Sequence, residues 1–178
     1  MPTNHPLLLS PAPSQCSLEM LAHHYGDVYE HSPWVAEAAW QHGLTDAHDA
    51  PDALAALMGL MLQQASSEQQ IKVIQAHPDL AGKAAMAGEL TQDSTSEQAG
   101  AGLDQCSPEE FARFEYLNTA YKEKFGFPFV IAVKGLDRHD ILAAFEERLN
   151  NDPATERKTA IEQIIRIARF RLRARAEQ

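Results

Sequence analysis

The sequence predicts an all-α chain, a compact single-domain bundle of about seven to nine helices. Three observations carry that prediction. Capping residues repeatedly stand directly before proline, apolar residues recur at helical spacing, and only one short run looks extended. With 178 residues and 44% apolar side chains, the chain is long enough to bury a core. Residues 1–16, rich in proline and polar side chains, are expected to form a flexible arm, and residues 17–178 the helical domain.

The elements follow in order. A first helix is expected from Ser17 to Tyr25. A second runs from Pro33 to His42, with Ser32 as cap and Pro33 at the first helical position. Leu54, Leu57, Met58, Met61 and Leu62 repeat at the spacing of a core-facing helix. Ser67 and Gln70 can cap a short helix through Ile71 and Ile74. Ser94-Thr95-Ser96-Glu97 matches a capping box with Glu97 as its reciprocal carboxylate. Ser107, before Pro108 and three residues from Glu110, starts the next helix. Phe111, Phe114, Leu117 and Tyr121 continue it, and Gly126 stops it. Ile141, Leu142, Phe145 and Leu149 mark another. Asp152-Pro153 opens the last, whose apolar stripe is Ile161, Ile164, Ile165, Ala168 and Leu172. The exception is "FPFVIAV", Phe127 to Val133. Pro128 pushes Phe127 out of the α region, and no second strand is present to pair with the run. It reads as a buried extended segment or a frayed helix start.

Charge and composition remove several function classes. A net charge of −10 argues against a nucleic-acid partner, which needs a basic face. Arg166, Arg169, Arg171, Arg173 and Arg175 crowd the C-terminus and read mostly as a solvated helix face. Cys16 and Cys106 have no CxxC or Cys/His spacing, which argues against a disulfide framework or a zinc site. No run approaches about 18 consecutive apolar residues, so no membrane span is expected. The N-terminus lacks a secretory pattern, which makes the cytoplasm the expected compartment. There is no GxGxxG after a strand, no GxxxxGK[ST], no HExxH and no GxSxG. An enzyme here is expected to work with no cofactor and no metal.

Four places could carry chemistry. In "QAHPDLAGKAAM", Pro78 should end the helix at His77. A histidine at a helix C-terminus feels the negative dipole end, which favours its protonated form and suits a general acid. The plainer reading is that His77 only caps the last carbonyls. Glu97 either satisfies a backbone amide as part of its capping box or joins amides and hydroxyls in binding a polar group. In "YKEKFGFPFVIAVKG" the extended backbone has amides and carbonyls that need partners if buried. A heterocycle with urea-like edges would supply them, as would a plain core crossover. On the last helix, Arg169 and Arg171 both lie at the margin of the apolar stripe. Either can grip an anion in bidentate fashion, and periodicity does not choose between them.

Taken together, "HPDLAGK", "STSEQAGAGL", "YKEKFGFPFVIAVKG" and "IARFRL", with "YEHSPWVAEAAW" upstream, resemble the 2-oxo-4-hydroxy-4-carboxy-5-ureidoimidazoline (OHCU) decarboxylases, over roughly residues 17–174. The resemblance implies an all-helical homodimer and a cofactor-free lyase of urate breakdown. Such an enzyme removes CO₂ from a small ureidoimidazoline and yields (S)-allantoin. By motif, His77 matches the catalytic histidine and proton donor, Glu97 the essential carboxylate and Arg171 the functional arginine. Pro78, Ser94, Thr95, Ser96, Glu97 and Gln98 match substrate-binding positions. Phe129, Val130, Ile131, Ala132 and Val133 match a segment that binds through its main chain. Two alternatives remain at this stage. One is a cofactor-free hydrolase or tautomerase on a related ureide; the other is a helical adaptor whose arginine-rich last helix meets an acidic partner.

Overall fold

The computed structural model describes residues 6–178. Among them are nine α-helices and no strand, the all-α class expected. The helices are α1 (Leu18–Tyr25), α2 (Trp34–His42), α3 (Pro51–Gln64), α4 (Ser67–Gln75), α5 (Lys83–Met86), α6 (Gln92–Gly100), α7 (Pro108–Phe125), α8 (Arg138–Arg148) and α9 (Pro153–Ala176).

The capping chemistry largely sets these bounds. Ser17 accepts from the Met20 amide at 3.2 Å and starts α1. Ser107 and Glu110 exchange bonds of 3.1 and 3.0 Å at the start of α7. Gly126, at φ 80°, ends that helix where only an unbranched backbone sits easily.

Three starts differ from the sequence reading. Pro33 itself caps α2, and the Ser32 hydroxyl instead donates to the Glu30 carbonyl at 2.9 Å. Before α4, Ser66 and Gln69 make the reciprocal bonds, each 3.2 Å, that were expected of Ser67 and Gln70. The third difference matters most. α6 begins at Gln92, and its cap is Thr91, whose hydroxyl accepts from the Ser94 amide at 3.2 Å. Ser94 to Glu97 therefore lie inside the helix, and Glu97 is not a capping carboxylate. Several hydroxyl residues in a row offer several starts. The earliest wins because each added residue closes another backbone bond.

The chain gathers into two compact units. One holds residues up to Val73 together with Ile165–Gln178. Within it α1 packs on α2, and α2 on α3. Gly59 of α3 approaches α9 so closely that a Cβ there would lie 2.9 Å from Ile165 Cγ2. The expected arm is tied down over its described part. Leu9 N–H donates to the Asp49 carbonyl at 2.9 Å, Ser14 donates twice to the Asp49 carboxylate, and Tyr25 OH donates to the Pro11 carbonyl at 2.6 Å. Residues 1–5 of that arm lie outside the described residues. Of the five C-terminal arginines, Arg166, Arg169 and Arg173 are exposed, the solvated face expected of most of them, and surface carboxylates engage two. Arg173 forks onto Asp52 at 2.6 and 2.9 Å, and Arg175 reaches Asp27 and the His24 carbonyl at 2.6 and 2.7 Å.

The other unit is Ile74–Ile164. Its core is aromatic. Phe129 and Phe145 stack at 3.9 Å between centroids with an 8° interplanar angle, and Tyr121 stands edge-on to both. Phe127–Val133 contributes Phe129, 1% exposed, without joining any helix or sheet. Of the two readings the sequence left open, it is the buried non-helical segment and not a frayed helix start.

Candidate active site

The His77 loop is built by local rules. α4 ends at Gln75, and the His77 amide closes its last turn on the Ile74 carbonyl at 3.1 Å. Pro78 has no N–H to continue the helix. His77 is 8% exposed and its Nε2 is buried. Beyond it the chain turns tightly. Ala81 takes φ 50°, rare for a residue with a side chain. A Cβ on Gly82 would lie 2.7 Å from the Cβ of Asp79. Only glycine fits there, which explains the Gly in "HPDLAGK".

Side chains from two helices pin this loop. Gln98 of α6 accepts from the Ala81 amide at 3.0 Å and donates to the Asp79 carbonyl at 3.3 Å. Asn118 of α7 donates to the Leu80 carbonyl at 2.9 Å, and Lys122 pairs with Asp79 at 2.6 Å. Gln75, two residues before His77, donates to the Gly126 carbonyl at 3.1 Å. That bond ties the end of α4 to the end of α7, where the Phe127–Val133 segment leaves. One unit thus holds His77, α6 and that segment.

On α6, Ser94 and Gln98 are buried and Glu97 is half-buried. Positions i, i+3 and i+4 share one helix face, so these three point to the same side. Thr95 and Ser96 are exposed, and the Thr95 hydroxyl is spent on the Thr91 carbonyl at 2.9 Å. The five consecutive residues expected at the site therefore split by face.

In the segment, the Val130 carbonyl accepts from Arg148 Nη1 at 2.7 Å, and the Ala132 amide donates to Gln163 Oε1 at 2.9 Å. Those two main-chain groups are already committed within the protein. Ile131, between them, is the only residue of Phe129–Val133 that is not buried.

Arg171 belongs to the first unit. It is 4% exposed, donates from Nη2 to Glu30 Oε1 at 2.9 Å, and from Nη1 to the Val28 carbonyl at 3.4 Å. Glu30 is itself 2% exposed. Tertiary structure thus separates the two arginines that periodicity left tied: Arg171 is the buried one and Arg169 is exposed.

Sequence reasoning missed Asn118, Arg148, Gln163 and Glu30. For two of them a signal is legible. Asn118 stands on the stripe Phe114, Leu117, Asn118, Tyr121, and Arg148 on the stripe Ile141, Phe145, Arg148. A polar residue at core-facing spacing requires a buried partner. Glu30, outside any helical repeat, carries no such mark. Among the described residues no group of three or more His, Cys, Asp or Glu could hold a metal ion, and no helix is long and apolar enough to cross a membrane.

The comparisons with known proteins converge. The family model for OHCU decarboxylase matches residues 14–173. The chain is 40% identical over 151 residues to the 2-oxo-4-hydroxy-4-carboxy-5-ureidoimidazoline decarboxylase of Haloferax volcanii, covering 85% of this chain and 86% of that one. It is 39% identical over 157 residues to the protein of the same name from Amia calva, covering 88% and 87%. The crystal structure of an (S)-allantoin synthase matches with a TM-score of 0.72 at 30% identity, over 92% of this chain and 52% of that one. With the family motif positions folded as described, this chain belongs to the OHCU decarboxylase family.

Proposed function

We propose that this chain decarboxylates 2-oxo-4-hydroxy-4-carboxy-5-ureidoimidazoline to (S)-allantoin, a step of urate degradation, with His77 as the proton donor. It is a carbon–carbon lyase. The observation that carries the reading is the family match over residues 14–173, which spans His77, Glu97, the Phe129–Val133 segment and Arg171. Assembly as a homodimer and a cytoplasmic location belong to the same reading.

The chemistry asks little of a cofactor. The substrate's carboxylate sits on a ring carbon next to a C=N bond. When that carbon–carboxylate bond breaks and CO₂ leaves, its electron pair forms a C=C bond to the neighbouring ring carbon, and the C=N pair moves onto the ring nitrogen, which takes up a proton. The resulting enol loses its hydroxyl proton to become the ring carbonyl. A proton added to one face of the former imine carbon sets the (S) hand. The protein must orient the ring, stabilise the developing charge and deliver that proton.

His77, held at the end of α4, is assigned the proton. Glu97, facing the same side of α6 as Ser94 and Gln98, would hold ureido or ring N–H groups and favour the protonated imidazole. Ser94 would add a hydroxyl. Gln98 acts through the Pro78–Ala81 loop that its amide clamps. Thr95 and Ser96, on the exposed face, are left out of the proposed contacts. Arg171 would meet a group that stays on the ring and gains charge. A firm grip on the departing carboxylate would stabilise the ground state instead.

The test is direct. Freshly generated substrate is added to the purified protein, and allantoin chirality is followed by circular dichroism. His77→Ala should keep the helical spectrum and lose about 10²–10⁴-fold in rate. An undiminished rate with unchanged (S)-excess removes His77 from the chemistry.

A further inference from the structure

The Phe127–Val133 segment has no helix or sheet to satisfy its backbone; the Leu136 amide donates to the Val133 carbonyl at 2.9 Å, and side chains take up other groups. Arg148 of α8, 9% exposed, is the main one. Its Nη1 donates to the Val130 carbonyl at 2.7 Å, its Nε donates to the two Glu156 oxygens at 2.8 and 3.3 Å, and its Cζ lies 4.5 Å from the centroid of the Phe129 ring. Glu156 is fully buried and takes two further bonds, from Tyr121 OH at 2.6 Å and Asn151 Nδ2 at 3.2 Å. A guanidinium is planar, with donors in fixed directions. Locking one edge on Glu156 therefore aims Nη1 at Val130 and sets the plane against Phe129. Gln163 of α9 holds the Ala132 amide in the same way.

The two anchors lie two residues apart. Residues 128–133 show no helix, turn or bend and no positive φ, and an extended backbone turns the polar groups of alternate residues to opposite edges. Bonds to residues 130 and 132 thus occupy one edge and leave the Ile131 N–H and C=O on the other. Ile131 is also the residue of Phe129–Val133 that is left partly exposed.

We propose that Arg148 and Gln163 are positioning residues: they anchor one edge of Phe129–Val133 so that the Ile131 N–H and C=O face the urea-like edge of the substrate. This rests on the decarboxylase reading. The pair offers one donor and one acceptor side by side, the complement of an amide or ureide edge. Neither anchor touches the substrate.

The experiment uses Arg148→Lys, which keeps the charge and loses the fork, and Gln163→Leu at a half-buried position. Steady-state kinetics on fresh substrate are paired with a thermal-shift titration of (S)-allantoin. Gln163→Leu should raise KM about 2–10-fold, the range of one lost hydrogen bond. Arg148→Lys should raise it about 10-fold or more, the range of a lost hydrogen bond from a charged group. For both, kcat should change less than about twofold, and allantoin should protect only at higher concentration. A purely structural role would lower the melting temperature and leave KM unmoved. Folded variants with wild-type KM and wild-type allantoin protection overturn the proposal alone. A wild-type protein with no turnover overturns the decarboxylase reading and this proposal with it. If Arg148→Lys does not fold, Gln163→Leu decides.

Discussion

Glu97 and Thr91 make a paired test of whether α6 is built for catalysis or for its own stability. If Glu97 were a capping carboxylate, its loss would unfold the helix end. The structure gives that duty to Thr91, whose hydroxyl takes the Ser94 amide at 3.2 Å. Thr91→Ala strands that amide. Loss of such a cap typically costs ~1 kcal/mol. In a chain of this size that lowers the melting temperature by about 2–4 °C. Glu97→Gln changes no cap bond and keeps the side-chain shape. It should move stability by no more than about 0.5 kcal/mol. Removing a charged group that organises the substrate and the imidazolium should instead cost about 10²–10³-fold in kcat/KM. The assay is a thermal melt by circular dichroism, with turnover measured on the same preparations. Thr91→Ala should melt early and keep most of its activity, and Glu97→Gln should do the reverse. If Glu97→Gln melts 2–4 °C early and turns over normally, the face assignment of α6 is wrong.

Two further predictions concern ion pairs and pH. Glu30→Ala leaves Arg171 buried without its carboxylate and should cost about 3–5 kcal/mol in urea unfolding, whereas Asp52→Ala, which breaks an exposed pair with Arg173, should cost at most about 1 kcal/mol; equal losses would refute the burial argument. Burial, followed by the nearby Cys16 thiol, pushes the Tyr25 phenol from its ordinary 10.0 up to about 12. The fold favours the neutral phenol, so its contribution is complete below pH 10.0 and is lost as the pH rises towards about 12. Tyr25→Phe should flatten part of the alkaline decline in melting temperature. The flattening is partial because burial also raises Tyr29 and Tyr121. An unchanged alkaline slope would remove Tyr25 from that decline.

Most of the helices were legible in the sequence because their signals are local. Ser17, Ser107 with Glu110, Gly126 and Pro153 act on backbone groups within a turn, and the apolar stripes of α3, α7 and α9 repeat within the helix itself. The Phe127–Val133 break was equally local, since Pro128 restricts its neighbour directly. His77 could be placed at a helix end for the same reason. Its role, and that of Glu97, came from the company of several motifs rather than from any one of them. The start of α6 was misread because Thr91 and Ser94 are both good caps. Choosing between them depends on three more residues of backbone bonding, not on the cap alone.

The tertiary structure decided what depends on distant partners. Periodicity placed Arg169 and Arg171 on the same margin; burial against Glu30, 141 positions away, distinguishes them. The Pro78–Ala81 loop is shaped by Gln98, Asn118 and Lys122, none of which is near it in sequence. Arg148 and Gln163 took up backbone groups that a sequence can only mark as needing partners. The sequence alone determined that these helices form, several of their starts and stops, and which residues could carry a proton, because those outcomes rest on bonds spanning a few residues. Which polar side chain satisfies which buried group rests on long-range burial, and only the folded chain brings those groups together.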